Sequence, residues 1–206
     1  MAQEKLYLYP IWIRLWHFLN AILCLILIIT GVSMQFSAPS IALVNFDTSV
    51  AIHNIAGIVL TINYLIFFIG NLFTFNGAQY QIVYRGLYKR LITQAMYYTF
   101  GIFKGESPPF PISRENKFNP LQRFSYVFVM YLFVPIVFIS GWALLYPQTI
   151  PTTILGTSGL HLTDLFHIIS GFIISFFMIV HIYFCTIGKH PGSNFKSIIN
   201  GYHEAH

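Results

Sequence analysis

Four long apolar runs separated by polar segments dominate the chain: Ile11–Met34, Val50–Phe75, Phe124–Tyr146 and Leu162–Ile187. A helix that crosses a bilayer needs roughly 20 mostly apolar residues, and each run is long enough. Lipid offers backbone amides no water, so such runs satisfy their hydrogen bonds internally as helices. The pattern predicts an all-α membrane protein, a four-transmembrane-helix bundle forming one domain over residues 1–206. Pro135 lies inside the third run and lacks the amide a helix needs, so it should kink that span. The first run exceeds the roughly 7–15 residues of a signal-peptide core and carries Arg14 and His17 near its start, which reads as a retained span. Between the second and third runs, Gly86–Phe103 places Leu87, Leu91, Ala95, Tyr98 and Ile102 at spacings of three or four. That predicts an amphipathic helix on the membrane surface, with Lys89 and Arg90 toward the headgroups. The proline-rich stretch Gly105–Pro111 predicts an irregular turn.

Composition agrees with that class. Of 206 residues, 56% are hydrophobic and 8% charged, against about 25% charged in soluble domains. The net charge of +5 matters through its placement. All eleven Lys and Arg fall in the two tails, in the second loop, or at the helix ends beside them, and the loops 35–49 and 147–161 hold none. The positive-inside rule then places both termini and the second loop, with its amphipathic helix, in the cytoplasm; the expected location is a bacterial cytoplasmic (inner) membrane. Charges beside spans argue against a nucleic-acid surface. Cys24 and Cys185 both lie within spans, no Cys-x-x-Cys-His motif attaches a haem covalently, and no disulfide framework is implied. Trp16 and Trp142 read as interfacial anchors.

Ionisable groups inside hydrocarbon are costly, which makes the intramembrane histidines the candidate chemistry. Five of the eight histidines lie in or at the edges of spans: His17, His53, His161, His167 and His181. His167 and His181 are fourteen residues apart, so they share nearly one helix face and stand roughly 21 Å apart along the axis. Counted from their span ends, His17 and His181 sit at one depth, and His53 and His167 sit together near the opposite side. Two imidazoles on one haem iron fill both axial positions and leave a centre suited to carrying electrons. Gly57 follows His53 by one turn and Gly171 follows His167 by one turn, so a flat porphyrin meets no side chain there; close helix packing is the plainer use of such glycines. His161 reads as an outer-surface group, and His190, His203 and His206 as solvated tail residues.

These residues resemble a known group. Arg14-Leu-Trp-His17, His53-Asn-Ile-Ala-Gly57, His167 and His181 resemble the di-haem cytochrome b subunits of membrane oxidoreductases, among them the nickel–iron hydrogenase cytochrome b and the formate dehydrogenase gamma subunit. The segments His53–Thr61, Tyr97–Gly105 and Lys117–Gln122 make the thiosulfate reductase cytochrome b type the nearer likeness. The resemblance implies two haems b, ligated by His17 with His181 and by His53 with His167. It also implies a quinone site near the cytoplasmic haem and a periplasmic partner, an iron–sulfur protein or a multihaem cytochrome c. Arg14 and Arg123 are candidates to pair with haem propionates, or else to anchor helices at the headgroups. Asn20, Lys117, Asn119 and Tyr126 are candidates to bind menaquinone or another quinone.

The expected function is electron transfer between a quinol pool and that partner, in the direction of quinol oxidation, with the substrate chemistry on the partner subunit. Two rivals are a stand-alone di-haem cytochrome that oxidises superoxide or another small donor, and a haem-free transporter whose histidines only join helices.

Overall fold

The computed structural model describes residues 5–38, 43–188 and 190–204. Its long elements are helices α1 (Ile11–Gln35), α2 (Phe46–Phe73), α3 (Leu87–Met96), α4 (Pro120–Phe128), α5 (Val134–Leu145), α6 (Gly159–Cys185) and α7 (Ser193–Asn200). Four stretches are long and apolar enough to cross a membrane: Ile11–Gln35, Phe46–Phe73, Pro120–Leu145 and Gly159–Cys185. They match the four apolar runs, with starts shifted outward where a cap lies upstream. Asn45 accepts from the amides of Asp47 and Thr48 through Oδ1 (3.0 and 3.4 Å), which starts α2 four residues before the apolar run. Asn119 forms a capping box with Gln122, and Pro120 opens α4; side chains and proline there satisfy or remove amides that have no intrahelical partner.

Pro135 shapes the third span as its missing amide requires. A wide π-type turn, Val129–Phe133, separates α4 from α5, and Pro135 sits at the second residue of α5. Widening the helix just ahead of the proline relieves the clash between its ring and the carbonyl one turn back.

Two compact units divide the chain. One comprises residues 1–14, 70–131 and 181–206; the other comprises 15–69 and 132–180. In the first, strand β1 (Lys5–Tyr7) pairs antiparallel with β4 (Tyr202–Glu204), so the two tails are joined. Gly201 makes this possible: at φ 89° it turns the chain out of α7, and its carbonyl accepts from the amides of Leu8 and Tyr9 (2.9 and 3.2 Å). Leu8 is buried beneath the clasp, and so is His203, which the sequence reading left solvated. Its place at the centre of a paired strand, opposite Leu6, covers it. His190 is exposed as expected, and His206 lies outside the described residues. The predicted surface helix over Gly86–Phe103 is α3, prolonged by a π-type turn at Tyr97–Gly101 and a short 3-10 turn at Ile102–Lys104.

The second unit is built inside-out relative to a water-soluble core. Many of its most buried positions are small or polar: Thr30, Ser33, Ser49, Asn63, Ser140 and Ser170. Large apolar residues such as Ile22, Leu65, Ile139 and Phe172 face outward. Small residues let helix backbones approach closely where lipid supplies no hydrophobic drive between helices. Trp16 ties α1 to α2: its indole donates to the Asn63 carbonyl (3.1 Å) and stacks on the fully buried Phe67 at 4.2 Å. Trp142 donates to Thr61 Oγ1 (3.3 Å), joining α5 to α2. Both tryptophans thus join helices. In the segment before α6, β2 (Thr153–Ile154) and β3 (Thr157–Ser158) form a small hairpin turning at Leu155–Gly156.

Replacing Asn119 by Ala removes the cap of α4 and the bond from its amide to the Tyr98 hydroxyl (2.7 Å). We expect a loss of about 1–2 kcal/mol, with Asn119→Asp, which keeps the cap acceptor, losing less. Thermal unfolding of the detergent-solubilised chain, followed by circular dichroism, checks the order of the three.

Candidate haem site

The site is assembled within the second unit. His53 lies seven residues into α2 and His167 eight residues into α6, a closer match of depth than the apolar runs alone implied. Their imidazoles face one another with ring centroids 6.1 Å apart and planes 70° from parallel. An imidazole nitrogen binds a first-row metal at about 2 Å, so two rings on opposite sides of one metal hold their centres roughly 6 Å apart. The observed separation fits a bis-imidazole iron. Among the described residues no three His, Cys, Asp or Glu side chains converge as a protein-only metal site. A pair is the number of protein ligands that a haem takes at its two axial positions.

The space beside the rings fits as well. A Cβ built on Gly57 or on Gly171, one turn after each histidine, meets nothing within 4 Å. Both glycines therefore border open room next to the imidazoles, as a flat macrocycle needs.

Each ring is held from behind through Nδ1. The Thr30 hydroxyl lies 2.9 Å from His53 Nδ1, while donating its own proton to the carbonyls of Ile26 and Leu27 (2.7 and 3.2 Å). The Ser140 hydroxyl lies 3.1 Å from His167 Nδ1 and donates to the carbonyls of Ile136 and Val137 (2.7 and 3.3 Å). Each hydroxyl thus has a carbonyl acceptor for its own proton within its own helix. The Val137 carbonyl accepts from His167 Nδ1 at 3.1 Å, which places the proton on Nδ1 and leaves Nε2 with a free lone pair, the form in which imidazole ligates a metal. Sequence reasoning missed Thr30 and Ser140. The available signal was a hydroxyl residue followed by glycine in spans one and three: Thr30-Gly31 and Ser140-Gly141.

The first unit holds His181. Its Nδ1 lies 3.3 Å from the Tyr126 hydroxyl, with the two rings edge-to-face at 5.7 Å, and its Nε2 lies 3.7 Å from Cys185 Sγ. Tyr126, expected at the quinone, therefore touches a candidate haem ligand directly. The other candidates scatter. Lys117 donates from Nζ to Asn76 Oδ1 (3.2 Å) and sits 5.9 Å above the Tyr9 ring; burial pushes its amine below the ordinary lysine range. Asn76 donates to Asn71, which donates to the Tyr131 hydroxyl (2.7 and 3.0 Å). Burial pushes the Tyr9 phenol up to about 12. Asn119 spends its side chain on the cap and on Tyr98. Arg14 donates to the Ile199 carbonyl, and Arg123 donates to Gln81 O (3.4 Å) and Asn116 Oδ1 (2.9 Å). In the second unit His17 packs edge-on between Trp16 and Phe18, and the Asn20 amide donates to Cys24 Sγ (3.7 Å). His161 is exposed at the start of α6.

Four helices long and apolar enough to cross a membrane, with two imidazoles from different helices 6.1 Å apart, define a multi-pass membrane protein with a candidate bis-histidine site. The chain matches the family described as prokaryotic cytochrome b561 over residues 8–201, and it belongs to that family. It is also 38% identical over 200 residues to a protein of Escherichia coli (strain K12) named "Putative cytochrome YdhU", covering 97% of this chain and 75% of that one. No solved structure matches it. The chain is thus a multi-pass bacterial membrane protein of haem-b electron transfer.

Substituting either His53 or His167 by Ala should abolish the haem of this pair, while His161→Ala keeps the wild-type haem content. Pyridine haemochrome spectra of the purified variants check this; unequal losses at His53 and His167 would break the pairing.

Proposed function

We propose that this chain carries two haems b and passes electrons from quinol, oxidised on the cytoplasmic side of the inner membrane, to a redox partner at the periplasmic face. The single observation that carries the reading is the His53–His167 pair, 6.1 Å apart and tied at Nδ1. Such a haem, when bound, cycles between ferric and ferrous iron with both axial positions filled. The second haem is assigned to His17 and His181 on three grounds: their matched depth in the sequence, the resemblance of Arg14–His17 and His181 to di-haem subunits, and the hydroxyl of Tyr126 at His181 Nδ1.

In the di-haem subunits that the chain resembles, quinol binds near the cytoplasmic haem, and the first unit offers it suitable groups. Tyr126, in contact with His181, is placed to hydrogen-bond a quinone oxygen or to hold the imidazole in one tautomer. Lys117, partly desolvated and hydrogen-bonded to Asn76, is a cation that a quinol oxygen can use as a proton partner. The pairing of the two tails supports placing both termini on one side, and the seven Lys and Arg of the second loop region support the cytoplasm as that side. Outward electron flow then runs with a negative-inside potential, worth about 2.3 kcal/mol per charge per 100 mV. The partner receives electrons at the outer face, as an iron–sulfur protein or a multihaem cytochrome c does in related complexes.

The test uses the full chain in lipid nanodiscs. It should contain two haems b and develop a reduced alpha band when a menaquinol analogue is added. Tyr126→Phe should slow that reduction about tenfold, the scale of one hydrogen bond lost in a transition state, with the dithionite-reduced spectrum unchanged. A single haem, or no reduction by quinol, refutes the scheme.

A further inference from the structure

The contacts behind His53 and His167 repeat position by position. In each case two consecutive spans form the unit, α1 with α2 and α5 with α6. The first span supplies a hydroxyl residue followed by glycine, Thr30-Gly31 and Ser140-Gly141; the second supplies His-x-x-x-Gly, His53 to Gly57 and His167 to Gly171. Each hydroxyl donates back to the carbonyl four residues earlier at 2.7 Å and approaches the one three residues earlier at 3.2 or 3.3 Å. Each ring meets that same hydroxyl at Nδ1, 2.9 and 3.1 Å away, and at His167 the Val137 carbonyl is a further acceptor at 3.1 Å.

The glycine that follows has a matching purpose. A Cβ at Gly31 would lie 3.5 Å from His53 Cε1, and a Cβ at Gly141 would lie 3.0 Å from His167 Cε1. The first distance is ordinary contact. The second requires the ring to move. Gly31 therefore borders its imidazole loosely, and Gly141 borders its own closely enough that an added Cβ would push the ring by a few tenths of an ångström.

We infer that Thr30-Gly31 and Ser140-Gly141 are paired positioning elements that lock both imidazoles of this centre in the Nδ1–H tautomer and tune its affinity for electrons. The inference rests on the reading that His53 and His167 ligate a haem. Its physical basis is direct. An acceptor on Nδ1–H pulls the proton, makes Nε2 a stronger donor to the metal and favours ferric iron. A hydroxyl whose own proton is already given to a carbonyl can act toward the ring only as an acceptor, so the direction of the bond is settled by the helix itself. Removing it weakens the ligand and favours the reduced state. Neither residue touches the iron, and both act through the histidine.

The experiment compares the full chain in nanodiscs with Thr30→Val, Ser140→Ala, the hydroxyl-keeping variants Thr30→Ser and Ser140→Thr, and the glycine variants Gly31→Ala and Gly141→Ala. Redox titration of the alpha bands and electron paramagnetic resonance of the ferric low-spin signals are read together. Thr30→Val and Ser140→Ala should each shift one and the same haem toward the reduced form, raising its reduced-to-oxidised ratio about tenfold at the wild-type midpoint, the lower end of typical outer-sphere effects. Its low-spin signal should move too, and the other haem should keep both. Thr30→Ser and Ser140→Thr should restore the wild-type values. Gly141→Ala should displace that signal, and Gly31→Ala should leave it in place. Two intact haems with unmoved midpoints in Thr30→Val and Ser140→Ala would overturn the inference and leave the haem assignment standing. Loss of the signal in the hydroxyl-keeping variants, or a larger effect of Gly31→Ala than of Gly141→Ala, would overturn it as well. A wild-type chain lacking a haem that depends on His53 and His167 would instead defeat the assignment beneath it.

Discussion

The structure turns on one constraint: a ring N–H buried away from water must find an acceptor, and within the bilayer only the protein can provide it. Helices spend their own carbonyls internally, so acceptors for anything else are scarce. The two histidines that face each other each have a hydroxyl from a neighbouring span at Nδ1, and His167 also has the Val137 carbonyl. Meeting that need also decides which nitrogen remains available to a metal. Stability and ligand chemistry are therefore set by the same few contacts.

The same scarcity explains why Ser, Thr and Asn sit among the most buried residues of the second unit, beside Leu23, Leu60 and Phe67, while many Ile, Leu and Phe face outward. Lipid accepts large apolar side chains at no cost, so they carry no information about which way is in. Small polar residues do. They permit close approach of backbones and form the bonds that join one span to the next, as Asn63 does with Trp16 and Thr61 with Trp142. In the first unit, polar contacts likewise join separate segments: the clasp of the two tails, the buried amides of Asn71, Asn76 and Gln79, the cap at Asn119, and the Tyr126 hydroxyl at His181.

Much of this was legible in the chain alone, and for physical reasons. Span number follows from the length of apolar runs, because hydrocarbon thickness sets a minimum. The approach of His53 and His167 was legible because an intramembrane imidazole is costly and draws notice, and their matched depth follows from the fixed rise of a helix. The irregular turn in the third span lies just ahead of Pro135, whose missing amide marked the place, and the helix between the second and third spans was legible from its spacing of three and four.

What only the tertiary structure decided concerns partners across helices. The Thr30-Gly31 and Ser140-Gly141 pattern does not by itself say that these hydroxyls back the two rings, since hydroxyls bonding to their own turn are common in any span, and their role depends on which helix lies opposite. His203 read as a tail residue and is buried, because strand pairing between two chain ends is invisible to a window of neighbouring residues. Tyr126 and Asn119 read alike as polar groups near one helix end, yet one contacts His181 and the other caps its own helix. Sequence determines depth and chemical type, which follow from length and residue identity; which side chain meets which is settled only when the helices pack.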